Sequence, residues 1–476
     1  MLFRNSSIYI IAKLIPGVMA FSALAVYTHL LTPEEYGVYT LIFTATIFTF
    51  ATVFNWLPVG MVRFWPSGKY DEGTFISTMG ILYRCLSLPI IIIAAIIAVF
   101  VNSDALTYLV AALFLLFSHA CLKHGQMQMT SQIRPKSYAI MTISYSVLAL
   151  LLGAMMAYLG FGPVGLLLGI GAGMLIPSLI QSYSVWTKYD KDKFSPELTQ
   201  KLAIYGMPLA ASFFLEQIAN VSDRYMLAWF VNEAEAGKYA VGYDLAGNSI
   251  IMIMSAINLA AYPMIVKLLE NEGKEAALEY FKTYSVLLLG VSIPAVVGLS
   301  LVGPNIVNLL IGAEYRDSVT LILPWVACGI FFMGAGAFYV HLPFQLSNNN
   351  MGIFKIAGFV ATLNLVLNYF LIPLWGMEGA AIATLLSFMA SVTLGYIFGQ
   401  RVFPIPFPAK DVLKILSAAL LMGICLYLLK DLRGWLPLLF QISSGLGIFV
   451  ISAYLLDIGG IKATIAQYLK MRQAEP

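Results

Sequence analysis

The feature that most limits this chain is a succession of apolar runs, each too long to be hidden in the core of a water-soluble domain. Residues 8–31, 38–57, 79–101 and 105–122 come first. Each can cross a hydrocarbon layer, which takes about 20 helical residues. Ten more follow at 138–159, 162–185, 202–230, 239–266, 281–302, 319–341, 353–374, 377–400, 412–429 and 435–456. The expectation is an all-α polytopic membrane protein of about fourteen transmembrane helices. A β-barrel also satisfies every backbone group in lipid, but its strands alternate apolar and polar residues over about ten positions. Runs such as PIIIIAAIIAVFV do not alternate.

Composition agrees. Sixty per cent of the 476 residues are apolar and 11% are charged, whereas about a quarter are charged in ordinary soluble domains. The N-terminal run is longer than the core of a cleavable signal and lacks a small-residue cleavage site, so it is expected to be retained as the first span. Cys85, Cys121, Cys328 and Cys425 fall in or beside spans without metal-ligand spacing, and no disulfide, metal or nucleic-acid partner is assigned.

An even number of spans puts both termini on one side, and cations choose it. With a cytoplasmic N-terminus, 21 of the 27 Lys and Arg lie in or beside cytoplasmic segments. Lys238, Arg316, Lys430 and Arg433 face outside, and Lys13 and Arg224 lie within spans. This asymmetry predicts cytoplasmic termini. Trp65, Trp186, Trp229, Trp375 and Trp435 fall near span ends, where an amphipathic ring sits at headgroup level.

Two short echoes indicate an internal repeat. The pattern E-x-G-x-Y occurs at Glu35, Gly37 and Tyr39 after the first span, and at Glu235, Gly237 and Tyr239 after the seventh. Gly162-Pro-Val-Gly165 before the sixth span matches Gly376-Met-Glu-Gly379 before the twelfth. Both echoes relate span n to span n+6, so the copies share one orientation, as in parallel-repeat transporters. Pro16 and Pro208 are out of this register. The expected organisation is an N-lobe of six spans (1–187), a cytoplasmic linker KYDKDKFSPELTQK (188–201), a C-lobe of six spans (202–401), and a C-terminal helix pair with a short tail (402–476).

The seventh span carries the most specific signal. Glu216, Asn220 and Asp223 follow i, i+4, i+7, and Gln217, Asn220 and Arg224 follow i, i+3, i+7, so one broad face bears five polar groups. Insertion scales place Asp or Arg at a span centre at about 2.5–3.5 kcal/mol each, so such residues face partners or a water-filled cavity. Asp223 and Arg224 are about 100° apart on the helix and need other partners. Asp244 and Asn248 on the eighth span, and Asn364 and Asn368 on the eleventh, could complete a polar chamber. Lys13, Arg63 and Arg84 would make it cationic. A plainer reading is equally consistent for three of these: Lys13 and Arg84 suit snorkelling to headgroups, and Arg63 suits a positive-inside anchor.

At this point LTPEEYGVYTL, PVGMVRFWP, SDRYMLAWF with AGKYAVGYDLA, and LIPLWGMEGAAIAT resemble the polysaccharide biosynthesis (Wzx-type) flippases of the multidrug/oligosaccharidyl-lipid/polysaccharide exporter superfamily. The resemblance runs along nearly the whole chain and implies a MATE- and MurJ-like pair of lobes. It implies transport of an undecaprenyl-pyrophosphate-linked oligosaccharide for O-antigen, capsule or exopolysaccharide across the bacterial inner membrane, beside glycosyltransferases and a polymerase. It also implies a cationic cavity, with Asp223, Arg224 and Arg63 at recurring family positions. Arg224 would grip phosphate bidentately and Lys13 would act as a point charge.

The chain has no Walker-type G-x-x-x-x-G-K-[ST] motif, so any coupling is expected to use a proton or Na⁺ gradient through Glu216, Asp223 and Asp244 rather than a cofactor. Three rivals stand beside the flippase reading. A multidrug exporter would favour an acidic pocket in the first span, a peptidoglycan-precursor flippase would differ only in cargo, and a membrane glycosyltransferase or polymerase would display a sizeable external loop.

Overall fold

In a hydrocarbon layer no water satisfies backbone N–H and C=O groups, so each apolar run must pair its own. The computed structural model describes residues 2–67, 69–186, 189–347 and 349–463, and among them helices are the only regular elements. In chain order these are α1 (Leu2–Leu30), α2 (Pro33–Thr49), α3 (Trp56–Phe64), α4 (Glu72–Phe100), α5 (Ser103–Ser131), α6 (Pro135–Met156), α7 (Gly162–Trp186) and α8 (Pro196–Phe230). They continue as α9 (Glu233–Asn271), α10 (Lys274–Leu310), α11 (Arg316–Ala335), α12 (Leu342–Leu346), α13 (Asn350–Val402), α14 (Ala409–Leu428) and α15 (Trp435–Leu455). Ile92, Ile93, Ile96, Val99 and Phe100 of α4 are exposed. A run of apolar surface like this is a liability in water, but in a membrane it faces lipid.

The chain forms two compact units, Met1–Gly237 and Lys238–Pro476. In the first, α7 packs along α6 and α5, α1 lies on α6, and α8 lies on α3 and α2. In the second, α11 packs on α13 and α10, and α14 packs on α10 and α15. The repeat in the sequence assigns α8 to the C-lobe, whereas by packing it groups with the first unit.

Ten helical runs among the described residues are long and apolar enough to span a membrane, eleven with the bent α8, whose parts Pro196–Pro208 and Phe213–Phe230 are inclined by 45°. Two of the ten, Pro135–Gln181 and Met351–Val402, have 47 and 52 residues. At 1.5 Å per residue each is about 70–80 Å long, more than twice a hydrocarbon layer of about 30 Å. Each is therefore two spans. With these divided, and with the shorter apolar stretch Leu14–Leu30 of α1, the count among the described residues comes to about fourteen.

The breaks fall at the second sequence echo. Gly162 has φ 53°, ψ −143°, and Gly376 has φ 53°, ψ −128°, a combination that a Cβ does not tolerate. Beyond each turn the helices run back at close range. Gly169 and Gly173 lie on the backbones of Gly153 and Ala149, and Gly379 lies on the Leu371 carbonyl. The G-x-x-G pattern thus meets a local demand, one glycine for the turn and another for close approach. We expect Gly376→Ala to cost about 1–3 kcal/mol, read as a lower melting temperature in detergent. Gly298→Ala, with nothing within 4 Å of the added carbon, serves as the control that should not melt earlier.

The first echo also has a physical basis. The Thr32 hydroxyl accepts from Glu35 N at 3.3 Å, and Thr32 N donates back to Glu35 Oε2 at 2.9 Å, a capping box that starts α2. Two hundred residues on, Asn232 Oδ1 accepts from Glu235 N at 2.8 Å and starts α9. The two helix starts are laid backbone on backbone. A Cβ on Gly37 would lie 1.9 Å from the Glu233 carbonyl oxygen, and one on Gly237 would lie 2.2 Å from the Pro33 carbonyl oxygen.

The charged segment 188–201 reads as a linker by composition, yet its described part is pinned to the first unit. Asp190 N donates to Ser77 Oγ at 2.9 Å and Ser195 N donates to Thr78 Oγ1 at 3.0 Å. Lys193 lies 3.7 Å from Asp71, whose carboxyl is held below its ordinary range mainly by hydrogen bonds from Thr74. Lys69 and Lys201 both reach Glu197 at 2.8 Å.

The C-terminal pair is fixed through one buried amide. Asn305 of α10 donates to Gln441 Oε1 at 3.0 Å and to the Gly434 carbonyl at 3.3 Å, and it accepts from Gly434 N at 3.0 Å. Gln441 donates to the Leu429 and Leu432 carbonyls at 2.8 and 3.3 Å. These bonds hold the turn between α14 and α15 against the end of α10.

Candidate functional site

Charged side chains inside a span need partners, and α8 finds them on α2. Asp223 and Arg224 are 1% and 6% exposed. Arg224 Nη1 donates to Thr40 Oγ1 at 3.2 Å, and Arg224 N donates to Asp223 Oδ1 at 2.9 Å. The Tyr225 phenol donates to the Leu41 carbonyl at 2.8 Å, and the Thr44 hydroxyl lies 3.3 Å from the same phenol oxygen. Thr40 and Thr44 share one face of α2 because they are four residues apart. Arg224 and Tyr225 of α8 thus form a polar seam with one stripe of α2, and the Asp223 carboxylate lies beside it on α8.

The seam does two things. It gives partners to the Thr40 and Tyr225 hydroxyls and to Nη1 of the Arg224 guanidinium, polar groups that are costly to leave unpaired in an apolar setting. It also places a fixed cation and a carboxylate at one level of the first unit, where α8 cannot shift along α2 without breaking several hydrogen bonds together.

The other expected residues are distributed more widely. Asn368 Nδ2 donates to Asn364 Oδ1 at 3.0 Å, and both residues are buried within α13 of the second unit. Asp244 and Asn248 are half-buried on α9. Gln217 and Asn220 are half-buried on α8, and Glu216 is exposed. Arg63, in the last turn of α3, is exposed. Arg84 is exposed too, and its guanidinium lies 4.5 Å from the centre of the Tyr189 ring while donating to the phenol oxygen at 2.5 Å. The Lys13 side chain lies outside the described residues.

Thr40, Thr44 and Tyr225 were not singled out by sequence reasoning. The i, i+4 spacing of the two threonines in an apolar run was the available signal. It is weak, because Thr in a span commonly bonds its own helix, as Thr44 does to the Thr40 carbonyl at 2.7 Å.

A bundle of spans with charged groups held between helices is the build of a polytopic membrane transporter, and solved transporters share the fold. The lipid II flippase MurJ in an inward closed conformation superposes with a TM-score of 0.70 at 16% identity, over 94% of this chain and 98% of that one. An inward-facing multidrug resistance MATE family transporter of the MOP superfamily gives 0.61 at 18% identity, over 86% and 99%.

The chain belongs to the polysaccharide biosynthesis protein family, whose profile matches residues 26–320. Among its relatives, the capsular polysaccharide biosynthesis protein CapF of Staphylococcus aureus is 25% identical over 422 residues, 84% of this chain and all of that one. The probable flippase AglR of Haloferax volcanii is 26% identical over 272 residues, 55% of this chain and 53% of that one.

Proposed function

We propose that this protein flips an undecaprenyl-pyrophosphate-linked oligosaccharide repeat unit across the bacterial cytoplasmic membrane by alternating access. The observation that carries the reading is the buried Asp223–Arg224 pair on a spanning helix of a transporter fold. Family membership supports a polysaccharide cargo.

The cargo has two incompatible parts. Each unsatisfied polar group of its head costs several kcal/mol in hydrocarbon, while its tail belongs there. A hydrated, partly cationic groove resolves this by sheltering the pyrophosphate and sugars while the tail stays in lipid. Arg224 and Lys13 supply cations for the pyrophosphate, with Arg63 and Arg84 toward the cytoplasmic side. Gln217, Asn220, Asn248, Asn364 and Asn368 offer hydrogen bonds to sugar hydroxyls. The two lobes alternate in opening the groove to each side, with both termini cytoplasmic. Glu216, Asp223 and Asp244 couple the motion to a proton or Na⁺ gradient, and glycosyltransferases and a polymerase act before and after the flip.

The test is the sidedness of lipid-linked oligosaccharides in cells depleted of the protein. Accumulation of one completed unit on the cytoplasmic face is expected, and its mass names the cargo. A disaccharide-peptide unit in its place would assign the protein to peptidoglycan precursors, and an unchanged lipid-linked pool would refute the flippase reading. In vesicles, an imposed gradient should accelerate flipping by the native protein. If it accelerates the Glu216→Gln, Asp223→Asn, Asp244→Asn triple variant equally, those carboxylates do not carry the coupling.

A further inference from the structure

Cations are scarce on the face that the charge asymmetry assigns to the outside, where four of the 27 Lys and Arg lie. Two of these four line one cavity of the second unit. It has a volume of about 420 Å³, sits where the end of α10 and the start of α11 meet the α14–α15 turn, and is walled by Asn308, Arg316, Asp317, Thr320, Leu321 and Arg433. A third outside cation, Lys430, is already placed over the Tyr427 ring at 4.0 Å.

The cavity is built rather than incidental. Arg316 is fixed by donating from Nε to the Ile311 carbonyl at 2.9 Å and from Nη1 to Asn308 Oδ1 at 3.0 Å, which leaves the rest of its guanidinium available. Arg433 makes no ion pair or hydrogen bond among the described residues, and the turn that carries it is anchored by the Asn305–Gln441 network. Asp317 lies in the first turn of α11, where a carboxylate is favoured by the helix dipole. Among the described residues it is not salt-bridged to either arginine. The charge of the wall is therefore a net +1.

Leu321 is the exposed apolar residue of the lining, and outside the cavity Trp325 is exposed one turn further along the same face of α11, while Trp435 and Leu436 are exposed at the start of α15. Cations above exposed Trp and Leu on spanning helices match a lipid, with its charge at headgroup level and its chains beside the helices. Guanidinium forks suit phosphate oxygens better than other headgroup acceptors.

We infer that this cavity is a binding site for the phosphate of an outer-leaflet lipid, held between Arg316 and Arg433 with Asn308 and Thr320 as further hydrogen-bonding groups. The site explains why cations occur here against the positive-inside rule. Its electrostatics also fix the sign of each substitution: losing Arg433 weakens binding, and losing the Asp317 charge strengthens it.

The test uses the purified full-length protein in detergent, with native mass spectrometry of lipid adducts. Phosphatidylglycerol, a diacylglycerol without phosphate and inorganic phosphate are the probes. Phosphatidylglycerol should be retained well above diacylglycerol. Arg433→Gln should lower its retention about tenfold, the worth of one charge-assisted contact, and Asp317→Asn should raise it. Arg433 is the first variant because its side chain supports no other residue described; Arg316→Gln follows.

Competition by inorganic phosphate would show that the phosphate group alone suffices, and its failure to compete would show that the site needs the whole lipid. A polyprenyl pyrophosphate that displaces phosphatidylglycerol would identify the lipid as released cargo. Equal retention of phosphatidylglycerol and diacylglycerol, or retention unmoved by both Arg433→Gln and Asp317→Asn, would overturn the site.

Discussion

Replacing Arg224 by Met should destabilise the protein by about 3–5 kcal/mol, and replacing Asp223 by Leu as well should return most of that loss. Arg224 and Asp223 are both almost fully buried, and they are adjacent in sequence. They lie at one level of α8 in a medium that solvates charge poorly, so removing the cation raises the cost of keeping the nearby carboxylate charged. Removing both leaves an apolar pair of similar volume, a replacement that is often neutral or stabilising. Thermal melting in detergent reads the stability. Flipping in vesicles reads the function, and it should be lost in both variants because neither supplies a cation to the cargo. A double variant no more stable than Arg224→Met would mean that Asp223 is not the charge that Arg224 balances. A double variant that still flips would confine the pair to a structural role.

The contrast between these readouts matters because the sequence and the structure speak to different parts of the seam. The stripe Glu216, Gln217, Asn220, Asp223 and Arg224 was legible because helical spacing puts it on one face and because charge in a span is expensive. Burial of Asp223 and Arg224 follows from that expense. The partner does not, because Thr40 and Tyr225 are unremarkable in composition and are selected only when α2 and α8 pack together. Glu216, on the same stripe, is exposed, so a shared face did not mean a shared environment along a helix as long and bent as α8.

The spans themselves were legible in place, since hydrocarbon thickness sets their length, but several helices run well past them, α5 to Ser131 where 122 was expected and α10 over Lys274–Leu310 where 281–302 was expected. The glycine turns at Gly162 and Gly376 were visible as an echo but not as hairpins, because a positive φ is a property of backbone geometry. Arg84 shows the opposite limit. Its place at a span end was readable, but its stacking on Tyr189 depends on a charged segment that composition alone would leave unattached.

The glycine echo at the starts of α2 and α9 carries the second large effect. Gly37→Ala and Gly237→Ala should each cost at least about 2 kcal/mol, toward the upper end of what overpacking does. In both cases the added carbon meets a carbonyl oxygen, at 1.9 and 2.2 Å, and backbone cannot rotate aside as a flexible side chain can. The two helix starts must separate.

That separation makes the pair non-additive. The Gly37 carbon needs room at Glu233 and the Gly237 carbon needs room at Pro33, and both are provided by the same displacement. Once Gly37→Ala has moved the helices apart, Gly237→Ala finds the space already open. The double variant should therefore melt close to the worse single variant, with a coupling energy of about 1–2 kcal/mol in a double-mutant cycle. Full additivity would show that each glycine answers to its own local strain, and the E-x-G-x-Y echo would then mark two independent helix starts rather than one shared crossing.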